Sequence, residues 1–336
     1  MTKIDVYSGF LGAGKTTLIK KMISESYAGQ KLVLIENEFG EIGIDGGFLQ
    51  DAGINITEMN SGCICCSLVG DFGKALTQVI DQYHPDRIVI EPSGVGKLSD
   101  VVAAVEKVTN ETVVLDCTVA VVDAGKVKVY MKNFGEFYNN QIETAATIIL
   151  SRTDSIPQQK LDNAVALLRQ HNADATIVTT PWDQITGAQL MEAMEGKAKV
   201  EVDLAKLEEE HRHHHDGHCY CGHHEEHHHD HDEHCSCGHD HHHHHADEVF
   251  TSWGVETHKK FTAEAIRHAL ETLDSGAYGI VLRAKGIVAG EDGSWIHFDF
   301  VPGEMNVRTG MAAVTGKLCV IGSNLNEDGV SKLFGV

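Results

Sequence analysis

Over the first 150 positions, apolar residues fall in short unbroken runs separated by stretches of helical spacing. Lys3-Ile4-Asp5-Val6-Tyr7, Lys31-Leu32-Val33-Leu34-Ile35, Arg87-Ile88-Val89-Ile90, Thr118-Val119-Ala120-Val121-Val122 and Thr147-Ile148-Ile149-Leu150 have the β-branched, aliphatic character of strands. Continuous runs, unlike alternating ones, mark strands covered on both faces, as in a parallel sheet with helices on either side. The predicted fold class is therefore α/β, a mostly parallel sheet flanked by helices, with ligands collecting at the C-terminal ends of the strands.

The pattern then changes twice. Residues 183–200 read as helix, and from His211 to His245 the chain becomes low-complexity, with 18 of its 23 histidines in 35 residues. Nothing there can build a core, and the segment is expected to be disordered and to order only around bound cations. Beyond Val249 strand character at 250–257, 279–284, 295–300 and 318–321, with helical spacing at 263–273, predicts a small α+β domain. Among its aromatic residues Trp253, Trp295, Phe298 and Phe300 read as core. A length of 336 residues suits two cores. The division expected is 1–200, a histidine-, cysteine- and acid-rich linker at 201–248, and 249–336.

Charge sharpens this picture. The formal net charge is −22, and 14 acidic residues between Glu201 and Glu248 face only Lys206 and Arg212. Such a balance argues against nucleic acid and for cations as partners. No apolar stretch approaches the roughly 20 residues that cross a bilayer, and the first strand follows the initial methionine with no leader pattern, so a soluble, cytoplasmic protein is expected. Of nine cysteines, seven lie in tight clusters, which points to metal or redox chemistry instead of disulfides. Cys117 and Cys319, alone in apolar runs, read as buried small hydrophobes.

The candidate chemistry begins at residue 9. Gly9-Phe10-Leu11-Gly12-Ala13-Gly14-Lys15-Thr16 is a complete GxxxxGK[ST] loop between a strand and a helix. Gly9, Gly12, Ala13 and Gly14, with Lys15, Thr16 and Thr17 opening the helix, make up a nucleotide-binding set. Backbone N–H groups turn inward on the phosphates, Lys15 reaches the β and γ phosphates, and Thr16 ligates Mg²⁺. Farther on, Gly62-Cys63-Ile64-Cys65-Cys66-Ser67 places three thiols in four residues, after a short strand at 54–58 and before a helix. Soft donors so grouped suit a tetrahedral Zn²⁺ or Co²⁺ site, against the alternative of a redox or merely buried cluster.

Together the phosphate loop, the CxCC at Cys63, Cys65 and Cys66, Glu91-Pro92-Ser93-Gly94 and Ser151-Arg152-Thr153-Asp154 resemble the CobW-like metallochaperone GTPases, which include the zinc-regulated GTPase metalloprotein activators. The resemblance covers nearly the whole chain. It implies a phosphate-loop GTPase, GTP and Mg²⁺ as ligands, a first switch segment at Glu36-Asn37-Glu38-Phe39-Gly40-Glu41, and Glu91 as the acidic residue of a Walker-B-like strand end. A carboxylate there can hold Mg²⁺ or its water, while the bland alternative is an acid at a helix N-terminus. Glu36 or Glu41 would join the thiolates as a metal ligand. Asp154 would accept from the guanine N1 and N2 hydrogens. The chain departs from the family at Arg152, where a lysine is usual, though arginine also offers a long apolar stem and a stacking plane. Arg283-Ala284-Lys285-Gly286 matches an RxKG segment of the family at an expected strand end, either a nucleotide-domain or client contact or simply a solvated end with a turn glycine.

Within the histidine tract the hexamer His218-Cys219-Tyr220-Cys221-Gly222-His223 recurs as His234-Cys235-Ser236-Cys237-Gly238-His239. Each unit can close a Cys₂His₂ shell, or both can combine through their four cysteines. The function implied is a GTP-dependent metallochaperone that carries zinc, or else cobalt or nickel, to a client metalloprotein whose identity the sequence does not give. The alternatives are a histidine-rich metal store with a regulatory GTPase, or an assembly factor for a cobalt or nickel enzyme. A homo-oligomer is compatible with all three.

Overall fold

The computed structural model describes residues 1–36, 55–58, 69–195 and 246–336. Its first part is a sheet of seven parallel strands in the order β3-β2-β4-β1-β5-β6-β7. These are β1 Thr2–Ser8, β2 Leu32–Glu36, β3 Asn55–Glu58, β4 Arg87–Glu91, β5 Val113–Asp123, β6 Thr147–Ser151 and β7 Thr176–Val178. Period-two alternation sorts the strand side chains to two cores. Ile4, Val6, Val33, Ile35, Ile88, Ile90, Ile148 and Leu150 face α2 (Val69–Tyr83), α3 (Leu98–Glu106), α4 (Val127–Thr144) and α5 (Gln158–His171). Tyr7, Leu32, Leu34, Val89, Val119, Val121 and Ile149 face α1 (Lys15–Glu25) and α6 (Gly187–Met194). Burial on both faces is why the runs were continuous. Cys117 is buried in the second core.

The second part is a six-stranded sheet, β12-β11-β10-β13-β8, with the two-residue β9 (Lys260–Phe261) beside β10. It comprises β8 Thr251–Thr257, β10 Ile280–Gly290, β11 Trp295–Val301, β12 Glu304–Gly310 and β13 Gly316–Ser323, all antiparallel except β9 on β10. A four-residue turn of helix, α7 (Ala246–Val249), leads into β8. One face carries α8 (Ala263–Leu273) and α9 (Glu327–Phe334) over Trp253, Val288, Ile296, Phe298, Phe300 and Val320. Trp295 is half-buried and outside that core. The other face turns toward the first part, and Leu282, Cys319 and Ile321 share the core of α4.

β10 runs through the expected strand end at 284 to Gly290, which changes the reading of Arg283-Ala284-Lys285-Gly286. Arg283 and Lys285 lie in mid-strand with Lys285 buried, and Gly286 is no turn glycine: an added Cβ would stand 2.3 Å from the Phe298 ring.

The two parts meet around Phe10 of the phosphate loop. Its ring lies 4.7 Å from Tyr130, 5.4 Å from Phe134, 5.7 Å from Tyr138 and 6.1 Å from Phe250. Phe250, at the entrance to β8, also packs 5.2 Å from Phe137. Phe134 leaves helical geometry at φ −136°, ψ 31°, kinking α4 beside Gly135, and so turns its ring toward both Phe10 and Phe250.

Within the first sheet a charged network ties its three central strands, β4, β1 and β5. Arg87 donates to Asp5 on β1 at 2.5 Å and to Asp116 on β5 at 3.3 Å, and Tyr27 donates to Asp5 at 2.8 Å. Burial raises the Asp5 carboxyl above its ordinary value, and Arg87 restrains that rise. Arg87→Met would leave the buried Asp5 carboxylate without its cation, while Asp116 keeps Lys3 at 3.3 Å, and about 3–5 kcal/mol of stability should be lost at neutral pH. Because the folded-state value of Asp5 lies above its unfolded one, the protonated form favours folding. Without Arg87 the Asp5 value rises further, so the deficit should grow as pH rises through the raised wild-type value and beyond it, and shrink below it. Urea denaturation of the variant and of Arg87→Met with Asp5→Asn, at acidic and neutral pH, checks this.

Candidate functional site

β1 delivers the chain into the phosphate loop through Gly9, whose φ is +145°. A Cβ there would lie 2.3 Å from the Val121 carbonyl oxygen, so only glycine allows the loop to pass this close to β5. Gly14 caps α1 in the left-handed region at φ 103°. Lys15 is 5% exposed and arches over its own loop, donating to the Gly9 carbonyl at 2.8 Å. Ala13 N–H donates to the Phe10 carbonyl at 3.1 Å and closes the turn. An N-terminal helix end, an ammonium and a backbone bared at three glycines form a cradle that fits a polyphosphate.

Glu91 ends β4 beside this loop. The Thr16 hydroxyl, in the first turn of α1, donates to its two carboxylate oxygens at 3.1 and 3.2 Å. Hydroxyl and carboxylate together are a hard oxygen donor set of the kind Mg²⁺ takes. Thr17 lies next to it, exposed at the mouth. Glu36, 8% exposed at the end of β2, stands in register with Glu91 on one side and with Glu58 of β3 on the other. The carboxylate-bearing ends of three neighbouring strands thus share the edge where the loop lies.

On the other flank Arg152 follows β6 in a left-handed conformation, φ 55° and ψ 32°. One guanidinium nitrogen donates to the Gly12 carbonyl and to Asp123, both at 3.0 Å, and the other pairs with Glu304 at 2.7 Å. Asp154, in the 3₁₀ turn that follows, is exposed and accepts from Ser155 at 3.3 Å. Trp182 donates to the Leu150 carbonyl at 2.9 Å and sets its ring 3.0 Å from where a Gly14 Cβ would be. Tyr130, under the loop, is pushed up to about 12 by burial and by the charge of Asp123.

A cleft of about 290 Å³ opens between the two parts, with Lys15, Thr16 and Glu91 on one wall and Arg283, Asp299 and Arg308 of the second sheet on the other. Glu41, the rest of the expected switch segment, Cys63, Cys65 and Cys66 lie outside the described residues, as do His218, Cys219, Cys221, His223, His234, Cys235, Cys237 and His239. Among the described residues no group of three or more His, Cys, Asp or Glu is placed to hold a metal ion.

A family model described as the CobW/HypB/UreG nucleotide-binding domain matches residues 3–179, and one for the cobalamin synthesis protein cobW C-terminal domain matches 250–335. The chain belongs to the CobW/HypB/UreG family. It is similar to the zinc chaperone YeiR of Escherichia coli K12, 27% identical over 64% of this chain and 64% of that one. It is similar also to the zinc chaperone YjiA of the same organism, 33% identical over 52% of this chain and 56% of that one. The zinc-regulated GTPase metalloprotein activator 1 of Schizosaccharomyces pombe is 24% identical over 89% of this chain and 74% of that one. The alignments with the two bacterial relatives thus span less than two thirds of their length.

Four contributors to this CobW-family site escape a reading of the sequence. Asp123 carried a signal, an acid closing the apolar run at 118–122. Trp182, Val301 and Glu304 carried none, since their role comes from loops and a hairpin brought together in space. Gly9→Ala should abolish the close passage of the loop over Val121. A weakening of labelled-GDP binding by at least about tenfold is expected, with α1 and the sheet intact by circular dichroism; tenfold corresponds to about 1.4 kcal/mol of displaced binding energy.

Proposed function

We propose that the protein binds GTP with Mg²⁺ at the phosphate loop, hydrolyses it to GDP and phosphate, and couples this to delivery of a transition metal ion, zinc foremost, to a client metalloprotein. The observation that carries the reading is the pairing of Thr16 with Glu91 beside Lys15, in a chain of the CobW/HypB/UreG family. Printed names of the relatives, zinc chaperones and a zinc-regulated GTPase activator, support the cargo.

In this reading the cradle from Gly9 to Thr17 binds the phosphates and Lys15 exchanges its Gly9 contact for β and γ oxygens. Thr16 and Glu91 would hold Mg²⁺, which when bound neutralises charge on those oxygens. Glu91 also orients the attacking water, Arg152 lays its stem along the base, and Asp154 turns toward the guanine N1 and N2 hydrogens. Cys63, Cys65 and Cys66, with Glu36 or Glu41, hold the cargo. Strand order supports communication between the two ligands. β3, which the sequence follows with the cysteines after four residues, lies three strands from β1, roughly 14 Å at about 4.8 Å per strand. Both motifs therefore start from one edge without overlapping. A site equally good in both nucleotide states transfers nothing, so the cargo affinity must differ between GTP and GDP.

The histidine tract, with its two HCxCGH units, supplies a local reserve of ions between a nucleotide domain at 1–200 and a C-terminal domain at 249–336. No described helix is long and apolar enough to cross a membrane, and a cytoplasmic site of action is part of the proposal.

Competitive zinc titration of the chain lacking 211–245, with Mg²⁺ and either a GTP analogue or GDP, tests the coupling. At least a fivefold gain in zinc affinity with the analogue is expected, the lower end of ordinary coupling energies, and its loss in Cys65→Ala with Cys66→Ala. Equal affinities would overturn delivery in favour of storage, which 18 histidines in 35 residues would serve.

A further inference from the structure

The Arg152 guanidinium is held from three sides, and one of them belongs to the C-terminal sheet. Gly12 and Asp123 accept from one of its nitrogens within the nucleotide-binding part, while Glu304 takes the other. Glu304 opens β12 directly after the two-residue turn Pro302-Gly303, where Gly303 has φ +82°. That turn is fastened at its tip. Lys126, which precedes α4, donates to the Pro302 carbonyl at 2.7 Å, and a Val301 methyl fills the space that a Gly12 Cβ would need, 2.2 Å from it. All three contacts converge on the loop and on the Asp123 end of β5.

We infer that Glu304 is a positioning residue of the nucleotide site, and that the β11–β12 hairpin makes the C-terminal domain one of its walls. This rests on the reading of the loop as a GTP site. A left-handed backbone is sparsely populated for a residue that carries a Cβ, and such conformations persist only where their surroundings over-determine them. Arg152 meets that requirement through acceptors on both terminal nitrogens, Gly12 and Asp123 on one and Glu304 on the other. The planar fork of arginine presents donors in two directions at once, which the compact ammonium of lysine does not do in a fixed geometry. Arginine at a position where the family usually has lysine thus finds its structural counterpart in Glu304, on the other domain. With the guanidinium pinned, the alkyl stem is fixed along the edge where the base would lie, and the lost freedom of a long side chain is removed before the nucleotide arrives.

Labelled-GDP titration and steady-state GTP hydrolysis by the full chain test this with Glu304→Gln, Glu304→Asp, Arg152→Lys and the double variant Arg152→Lys with Glu304→Gln. Glu304→Gln should weaken GDP binding about three- to fivefold, the scale of a partly exposed ion pair, with the change falling in KM more than in kcat. Glu304→Asp should recover most of it. The effect should shrink as salt rises from about 0.05 to about 0.5 M, and should vanish in the Arg152→Lys background, where the second partner is gone. Unchanged binding, or a Glu304→Gln penalty that persists beside Arg152→Lys, would overturn the assignment. Tighter binding in Glu304→Gln would overturn it also, and make the hairpin an obstruction. If the wild-type chain binds neither GDP nor GTP, the nucleotide reading falls and this inference with it; binding indifferent to Glu304 defeats the inference alone.

Discussion

The packing of Phe10 is the constraint on which the arrangement of the chain depends. It is the second residue of the phosphate loop, yet its side chain points away from the cleft into a cluster of Tyr130, Phe134, Tyr138 and Phe250. Aromatic rings bury large areas and prefer offset-stacked or edge-on neighbours, so a cluster of five fixes orientation as well as distance. One ring comes from the loop, three from α4 and one from the entry to the second sheet. The loop cannot shift without moving the helix, the sheet, or both. α4 accommodates the cluster by breaking its own geometry at Phe134, a local cost accepted in order to turn one ring inward.

That joint explains why the cleft is walled by two domains. Once Phe250 is seated under Phe10, β8 and the antiparallel sheet it begins must lie near the loop, and the polar face of β10, β11 and β12 is carried over the phosphate cradle. Side chains alternate along those strands, so the face opposite the α8 core presents Arg283, Asp299, Val301 and Arg308 together. The same alternation makes Arg283 and Lys285 a pair on one face, which is the physical content of the RxKG spacing. Gly286 then follows because Phe298 occupies the position its side chain would take.

Much of this was legible in the sequence, and the division between what was and was not follows from range. Continuous apolar runs located β1, β2, β4 and β6, and the helical spacing at 263–273 matches α8 residue for residue. The phosphate loop is read directly because its chemistry is local: glycines, lysine and threonine all act within eight residues. β7 and β12 were missed for opposite reasons. Thr176–Val178 is too short to show a period, and Glu304–Gly310 is an edge strand whose residues are mostly polar and exposed, so little apolar signal marks it. The partnership of Arg152 with Glu304 joins positions 152 residues apart through a domain contact, and no local pattern encodes it. Arg152 itself was conspicuous as a departure from its family, and its second terminal nitrogen meets Glu304 of the other domain at 2.7 Å.

The donors for the two kinds of metal ion are also separated along the chain. The hard oxygen donors that the proposed function gives to Mg²⁺, Thr16 and Glu91, sit on the first helix and the buried parallel sheet, hydrogen-bonded to each other. Soft ligands stand elsewhere: Cys63, Cys65 and Cys66 lie in sequence between β3 and α2, and the histidine and cysteine repeats between α6 and α7. Hard oxygen donors favour Mg²⁺ and thiolates favour zinc, so in the proposed function donor type would help sort the two ions. Separation in the chain does something further. A cargo site must exist in two states of unequal affinity, and a close-packed sheet is a poor place for one because its interior does not deform continuously. Glu36 stands in register with Glu91 at the strand ends, so a cargo site that used Glu36 would share one structural frame with the proposed Mg²⁺ site. In the proposed function, then, Mg²⁺ would take its donors from the parallel sheet and its first helix, and the exchangeable ion would take its thiolates from the sequence between β3 and α2, with a carboxylate from a strand end as one further donor.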